Sequence, residues 1–220
     1  MKIYNSKAPL ISLHIAKAGG SSFKKILQKW FHIGYHSHYR NYKNMVDPPK
    51  HIGWRLYLTN IVPICIHGHF DEDINHGVYD YYPEAEQFIT ILRDPFETWV
   101  SMYNYILTTQ QAKSVSEKYK TIDEFFYTHE LNTLNLFPFN FSHDNYQTII
   151  QENFVHIGVM ENYQKSIEII AEKINKKSIT VPHENKSKFS QKPTKEAEDF
   201  FRNKYKLEFE IYEYARKLNL

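Results

Sequence analysis

A short glycine turn near the N-terminus carries residue types that could bind an anion. An apolar stretch of strand type, residues 11–15, leads into Lys17, and a helical pattern follows through Ile26 and Trp30. Between them lie Ala18, Gly19, Gly20, Ser21 and Ser22. Backbone N–H groups at a helix N-terminus face one point, and the helix dipole favours negative charge there. With the Lys17 ammonium and two serine hydroxyls, the segment predicts a phosphate cradle. The alternative is a tight strand-to-helix turn capped by serine.

The order of residues in this turn differs from that of the nucleoside-triphosphate cradle. That motif reads G-x-x-x-x-G-K-[ST], with the lysine after the glycines and a hydroxyl on magnesium. Here Lys17 precedes Gly19 and Gly20. A clear strand-end aspartate for magnesium is also lacking, since Asp94 belongs to an Arg-Asp-Pro turn. A phosphotransferase of the P-loop type therefore stays open as the less favoured alternative.

A second segment places an arginine where a ligand would meet a parallel sheet. Residues 88–92 are typical of a buried strand, and Arg93-Asp94-Pro95 leads from them into a helical pattern. Pro95 suits the first helical position, where no N–H is needed. Arg93 therefore follows the carboxyl end of a strand, the usual ligand edge of an open α/β sheet. Its guanidinium matches phosphate, and Ser101 lies about two turns along the helix. The alternative is a structural pairing of Arg93 with Asp94 or a helix C-terminus.

A third segment, Ile64 to Phe70, is a strand that ends in His67-Gly68-His69. Residues at i and i+2 point to one face of a strand, so the two imidazoles should lie together. Histidine has the unperturbed pKa nearest neutrality, which suits a general base. Two alternatives remain. A metal pair is disfavoured because no carboxylate or cysteine set accompanies the histidines at ligand spacing. A structural pair would be satisfied by backbone groups.

The two phosphate segments together resemble those of the sulfotransferases that use 3′-phosphoadenosine 5′-phosphosulfate (PAPS). In that superfamily a K-x-G-[GS]-[ST]-[ST] turn binds the 5′-phosphosulfate, and R-D-P-x-x-R-x-x-S binds the 3′-phosphate. Residues 17–22 match the first pattern. The second is matched by Arg93, Asp94, Pro95 and Ser101, with Thr98 where many members carry arginine.

The resemblance implies a role for each of these residues. The backbone of Ala18 to Ser22 and the serine hydroxyls would hold the 5′-phosphate. Lys17 would neutralise charge on the departing bridging oxygen, and Arg93 and Ser101 would hold the 3′-phosphate. The product would be 3′-phosphoadenosine 5′-phosphate (PAP). No metal is expected.

The His-Gly-His segment resembles the matching part of the heparan/dermatan (uronyl) 2-O-sulfotransferase branch. There the second histidine is the catalytic base, so His69 would take that role and His67 a supporting one. The expected acceptor is a hydroxyl of a glycan or glycoside. Aromatic and basic residues of the segments 33–60 and 71–87 could also contact a sugar, although most of them are expected to be packing or surface residues. They are His36, His38, Tyr39, Arg40, His51, Trp54, Arg55, Tyr79, Tyr81 and Tyr82. A non-catalytic nucleotide- or glycan-binding relative is a further alternative.

The late segment Pro182 to Lys188 resembles the family's N-x-S loop, which folds over the nucleotide. On that ground Lys186 and Ser187 are expected cofactor contacts. Judged on charge alone, this lysine-rich stretch would be a solvated loop.

Composition limits the remaining possibilities. The net charge of +2 does not by itself indicate a nucleic-acid partner. The single cysteine, Cys65, allows no disulfide within the chain and favours a reducing compartment. No apolar run approaches the length of a membrane span. The expected location is therefore the cytoplasm of a microbe, unless the chain is an excised lumenal domain. The oligomeric state stays open.

Alternating strand and helix patterns predict an α/β fold: a single domain over 1–220 with a P-loop-like parallel sheet of about four to five strands and helices on both faces. Strands are expected at 10–15, 61–66, 88–92 and 154–159. Helices are expected at 21–32, 96–108, 122–131, 144–152, 163–174, 195–205 and 208–218. The segments 33–60 and 71–87 lack clear periodicity, and 109–120 is expected to be a polar connection.

Overall fold

The chain is described by a computed structural model at residues 1–41, 46–48, 61–109, 112–181 and 191–220. A five-stranded sheet lies at its centre, and every pairing in it is parallel. The strands are β1 (Leu10–Leu13), β2 (Tyr35–His38), β3 (Cys65–Gly68), β4 (Gln87–Leu92) and β5 (Phe154–Val159), in the order β2-β3-β1-β4-β5. The predicted α/β class with an all-parallel sheet is thereby confirmed.

Helices connect and cover these strands. In chain order the described helices are α1 (Gly20–Phe31), α2 (Val78–Tyr81), α3 (Pro95–Ile106), α4 (Ala112–Lys118), α5 (Ile122–Thr128), α6 (Tyr146–Asn153), α7 (Tyr163–Lys173), α8 (Lys195–Lys204) and α9 (Lys206–Lys217). Within the described ranges, none of them is both long enough and apolar enough to cross a membrane.

The sheet buries side chains on both faces. Along β1, Leu10 packs with buried residues of α1 and α7, while Ile11 and Leu13 pack with residues of α9. Both faces are therefore covered, as an all-parallel sheet requires. This explains why β1, β4 and β5 are nearly continuous apolar runs in the sequence.

The strand order places a topological switch point between β1 and β4. From β1 the chain turns toward β2 and β3 on one side, whereas β4 leads to β5 on the other. Ligands of open α/β sheets bind beyond the carboxyl ends of strands at such a point. The glycine turn follows β1 and Arg93 follows β4, so both of the segments that the sequence predicts to bind phosphate lie at this point.

The structure differs from the expected elements at several places. Strand β1 ends at Leu13 and helix α5 at Thr128, both earlier than expected, and α2 lies in the segment 71–87, where no helix was expected. The strand expected at 61–66 is Cys65–Gly68, so His67 and Gly68 belong to the strand. Strand β2 lies in the segment 33–60, where no strand was expected. Its sequence YHSH is polar, and it pairs at the sheet edge with β3 alone. Helix α4 occupies part of the expected connection at 109–120. Local polarity concealed both of these elements.

Candidate active site

The glycine turn forms an uncapped helix N-terminus. Gly19 is the residue that precedes α1, and its φ of 79° lies in the left-handed region that glycine adopts without strain. No side chain caps the helix, and its first turn carries no acidic residue. The predicted alternative, a turn capped by serine, is therefore wrong. The N–H groups of Gly20, Ser21 and Ser22 have no hydrogen-bond partner in the described part of the chain. Such groups attract an anion.

Close neighbours leave no room for a side chain at either glycine. A Cβ atom on Gly19 would lie 2.7 Å from the Met160 sulfur, and one on Gly20 would lie 1.8 Å from Nε2 of His14. The hydroxyl of Tyr163 donates to the Gly19 carbonyl oxygen at 3.2 Å. The turn is thus held between the histidine at the end of β1 and the residues after β5.

Arg93 contacts the glycine turn directly. Its Nη1 donates to the carbonyl oxygen of Lys17 at 3.4 Å, and its Nη2 donates to Glu97 Oε2 at 3.3 Å. Asp94 caps α3 by accepting the N–H of Glu97 at 3.1 Å, and Pro95 fills the first turn as predicted. The pairing of Arg93 with Glu97 was not among the expected alternatives. It holds a carboxylate beside the guanidinium that would meet a phosphate.

Lys17 lies over an aromatic ring. Its Nζ is 4.2 Å from the ring centroid of Tyr105 on α3, within the range of a cation–π contact. Its φ of 65° is unusual for a residue with a side chain. Burial, and after it the positive charge of Arg93, lowers the pKa of Lys17 below its ordinary value. The lysine at the mouth of the cradle is therefore a partly desolvated cation.

His69 belongs to a group of stacked imidazoles on the α1 face of the sheet. Its ring lies 4.3 Å from that of His14, centroid to centroid and nearly parallel, and His14 lies 5.1 Å from His67. The Nδ1–H of His69 donates to the backbone carbonyl of His14 at 2.8 Å, which leaves Nε2 unprotonated in the neutral ring. Among the described residues, none bonds to this Nε2. Burial lowers the pKa of His69, while the bond to His14 acts in the opposite sense.

His67 is fully buried and its ring faces α1. Its Nδ1 is 2.9 Å from Ser12 Oγ, and the Phe23 ring meets it edge-on at 6.0 Å. Burial holds the pKa of His67 well below the ordinary value. Its stacking partner is His14, so a supporting role for His67 would act through His14.

Tyr39 links this histidine group to a cavity. Its hydroxyl is 2.8 Å from His14 Nδ1, and its ring meets that of His69 edge-on at 5.1 Å. The cavity has a volume of about 460 Å³ and opens beside the first turns of α1. Its lining residues are His14, Ser21, Lys24, Lys25, Gln28 and Tyr39. Cradle, histidine group and cavity are therefore contiguous.

Within the part of the chain that the structure describes, no hydrogen bond joins the other predicted site residues to the cradle. Ser101 is buried in α3, and no hydrogen bond joins it to Arg93 or the cradle within the described residues. Lys186 and Ser187 lie outside the described residues. The flanks of their segment are anchored: Val181 donates to Gln164 at 2.8 Å, and Gln191 donates to Asn104 at 3.0 Å. The described residues contain no group of three or more potential metal ligands.

His14 and Glu97 were not predicted as site residues, although their spacing in the sequence indicates their positions. His14 follows Leu10 and Ser12 at intervals of two, so it shares their face of the sheet. Once β1 is paired with β3, that spacing brings His14 beside His69. Glu97 lies four residues after Arg93 on the first turn of α3, which is the spacing of a helical ion pair.

Comparison with known proteins shows a likeness in structure but none in sequence. No protein-family model and no curated protein matches the sequence. The structure is similar to the crystal structure of mouse sulfotransferase SULT7A1 complexed with PAP, with a TM-score of 0.42 and 13% sequence identity. The match covers 78% of this chain and 60% of the mouse chain.

Proposed function

We propose that this chain transfers the sulfuryl group of PAPS to a hydroxyl of a carbohydrate acceptor. The observation that carries the proposal is the contact of Arg93 with the carbonyl of Lys17 at 3.4 Å. Two segments 76 positions apart in the sequence thereby meet at the switch point of the sheet. Each has the chemistry of a phosphate site, and PAPS has a phosphate at both ends of its ribose.

The cradle would bind the 5′ end of the nucleotide. The free N–H groups at the start of α1 fit phosphate oxygens, and the lysine ammonium lies at the same turn. As the acceptor oxygen forms its bond to sulfur, the bond from sulfur to the bridging oxygen breaks and PAP departs. Lys17 would stabilise the charge that develops on that oxygen. Arg93, with Ser101 as a second donor, would hold the 3′-phosphate and so select PAPS over ADP.

His69 would remove the acceptor proton. Its Nδ1–H is committed to the His14 carbonyl, so the lone pair on Nε2 is the basic site. A lowered pKa keeps this imidazole neutral at physiological pH, which is the form a general base needs. The acceptor would occupy the cavity beside His14 and Tyr39. His67, packed against His14, would support the group.

A transfer assay tests the proposal. The purified chain is incubated with [35S]PAPS and a panel of glycans and glycosides, with EDTA present. We expect label on a hydroxyl acceptor, and a loss of about 10²–10⁴-fold in His69→Ala with PAP binding retained. His143→Ala, an exposed histidine remote from the cradle, is the matched control and should stay active. Magnesium-dependent transfer from ATP would instead identify a phosphotransferase. PAP binding with no transfer would identify a non-catalytic relative.

A further inference from the structure

His14 is held by four groups of the candidate site. One face of its ring stacks on His69 at 4.3 Å, and the ring also stacks with His67 at 5.1 Å. Its Nδ1 pairs with the Tyr39 hydroxyl at 2.8 Å. Its Nε2 lies so close to Gly20 that a Cβ there would be 1.8 Å away. A ring held in this way has one position.

This fixed ring determines the plane of the His69 ring. The two imidazoles are inclined by only 18°, and the backbone carbonyl of His14 takes the Nδ1–H of His69. A half-turn of the His69 ring about its Cβ–Cγ bond would break that hydrogen bond, and a smaller rotation would also break the stack. The stack therefore fixes the ring plane that keeps Nδ1–H on the carbonyl, and this hydrogen bond leaves Nε2 as the basic atom.

His14 itself is unsuited to take the proton. Nδ1 is engaged by Tyr39 and Nε2 is packed against the start of α1. Burial, aided by the neighbouring His69 and Lys24, lowers the pKa of His14 to about 3. The ring consequently stays neutral while His69 titrates, so it adds no positive charge beside a protonated His69.

We propose that His14 is a positioning residue: its ring, tethered by Tyr39, holds the plane of the His69 ring and so keeps the Nδ1–H of His69 on the His14 carbonyl, with Nε2 ready to accept a proton. The kinetic part of this inference rests on the proposed function, in which His69 is the base. The structural part concerns the free protein and can be measured without substrate.

Ring nitrogen NMR of His69 and transfer kinetics together test the proposal. In the native protein we expect one His69 tautomer, protonated on Nδ1, with a pKa below the ordinary value of 6.5. In His14→Ala we expect mixed tautomers, a pKa nearer to 6.5, and a kcat about 10–100-fold lower at unchanged KM for PAPS. His14→Phe retains a ring that can stack but loses the tether to Tyr39, so it should recover part of the native tautomer ratio and kcat.

His129→Ala is the matched control. His129 also stacks on a ring, that of Phe125 at 5.0 Å, and also pairs with a tyrosine hydroxyl, that of Tyr119 at 2.7 Å. Among the described residues, the ring and hydrogen-bond partners of His129 are Tyr119 and Phe125, neither of which belongs to the candidate site, so its loss should leave the His69 signals unchanged. Should His14→Ala not fold, Tyr39→Phe, which removes only the tethering hydroxyl, must shift the tautomer ratio in the same direction.

An unchanged His69 tautomer and titration in a folded His14→Ala would overturn the inference, as would an equal effect of His129→Ala. A tautomer shift in a protein that transfers no sulfuryl group would support the positioning role and refute the proposed function. Failure of the positioning role and failure of the proposed function therefore give different results.

Discussion

Gly20 lies directly against the ring of His14, at a distance that leaves no room for a methyl group. Within a helix, alanine ordinarily gives a more stable protein than glycine, by about 0.5–1 kcal/mol. We expect the opposite sign here: Gly20→Ala should lower the free energy of unfolding by about 1–3 kcal/mol, because the ring of His14 must move. Urea unfolding of the variant measures this.

A double-mutant cycle separates this clash from a general effect on the helix. With His14→Ala in the background, Gly20→Ala should cost little or become stabilising, since the obstructing ring is gone. If the losses in the free energy of unfolding of the two single variants simply add in the double variant, Gly20 and His14 do not interact in this way.

Lys17 should matter more for the reaction than for product binding. Its ammonium rests on the ring of Tyr105 at 4.2 Å, and the charge is needed most when the bridging oxygen leaves. Lys17→Ala should lower kcat by about 10²–10³-fold while changing the Kd for PAP much less. Lys195→Ala, an exposed lysine paired with Asp199, is the control and should leave both constants unchanged. A variant that loses PAP affinity but keeps its native kcat at saturation would contradict this role.

Glu97 should weaken phosphate binding in the native protein. Its carboxylate lies 3.3 Å from the guanidinium of Arg93 and would repel a 3′-phosphate there. Glu97→Gln should therefore tighten PAP binding several-fold, with a smaller gain at high salt because surface charges are screened. Glu213→Gln, at an exposed pair with Arg216, should have no such effect. Calorimetry that gives equal or weaker affinity for Glu97→Gln would remove this carboxylate from the account.

Stability should fall as the pH drops below 6.5. Burial lowers the pKa of His14 to about 3 and that of His156 to about 4, and holds that of His67 well below its ordinary value. Between pH 6.5 and 5 these three histidines bind protons in the unfolded chain and not in the native one. Stability contributed by the neutral rings is thus present above pH 6.5 and lost below it.

One buried acid acts in the opposite direction. Burial raises the pKa of Glu208 to about 7, so the native protein holds one proton there that the unfolded chain has released. Three histidines outweigh one glutamate, and the net slope should be on the order of 2 kcal/mol per pH unit. Glu208→Gln should steepen it. A free energy of unfolding that is flat or rising from pH 7 to pH 5.5, measured with urea, would contradict these assignments.

The sheet and the glycine turn were predictable because their signals are local. A strand buried on both faces needs a nearly continuous apolar run, and such runs marked β1, β4 and β5. The pairs Gly19-Gly20 and Asp94-Pro95 marked the starts of α1 and α3 for equally local reasons. Polar β2 gave no such signal, because an edge strand is stabilised by its pairing with β3 rather than by its own side chains.

The parts of the site that were not predicted depend on strand pairing. His14 becomes a neighbour of His69 only when β1 lies beside β3, and 55 positions separate the two residues in the sequence. The cation–π contact of Lys17 with Tyr105 likewise needs the turn after β1 and the helix after β4 to be adjacent. Residue spacing identifies the groups that can do chemistry, whereas the order of strands decides which of them meet.

Calorimetric titration with PAP and with ADP tests the central claim most directly, because it needs no acceptor. The account predicts that PAP binds about 10–100-fold more tightly than ADP, from one or two charge-assisted hydrogen bonds to the 3′-phosphate. Arg93→Ala should remove most of that difference, while Arg216→Ala, an exposed arginine paired with Glu213, should preserve it. Equal affinities for PAP and ADP in the native protein, or tighter binding of magnesium ATP than of PAP, would contradict the claim that this chain is built to use PAPS.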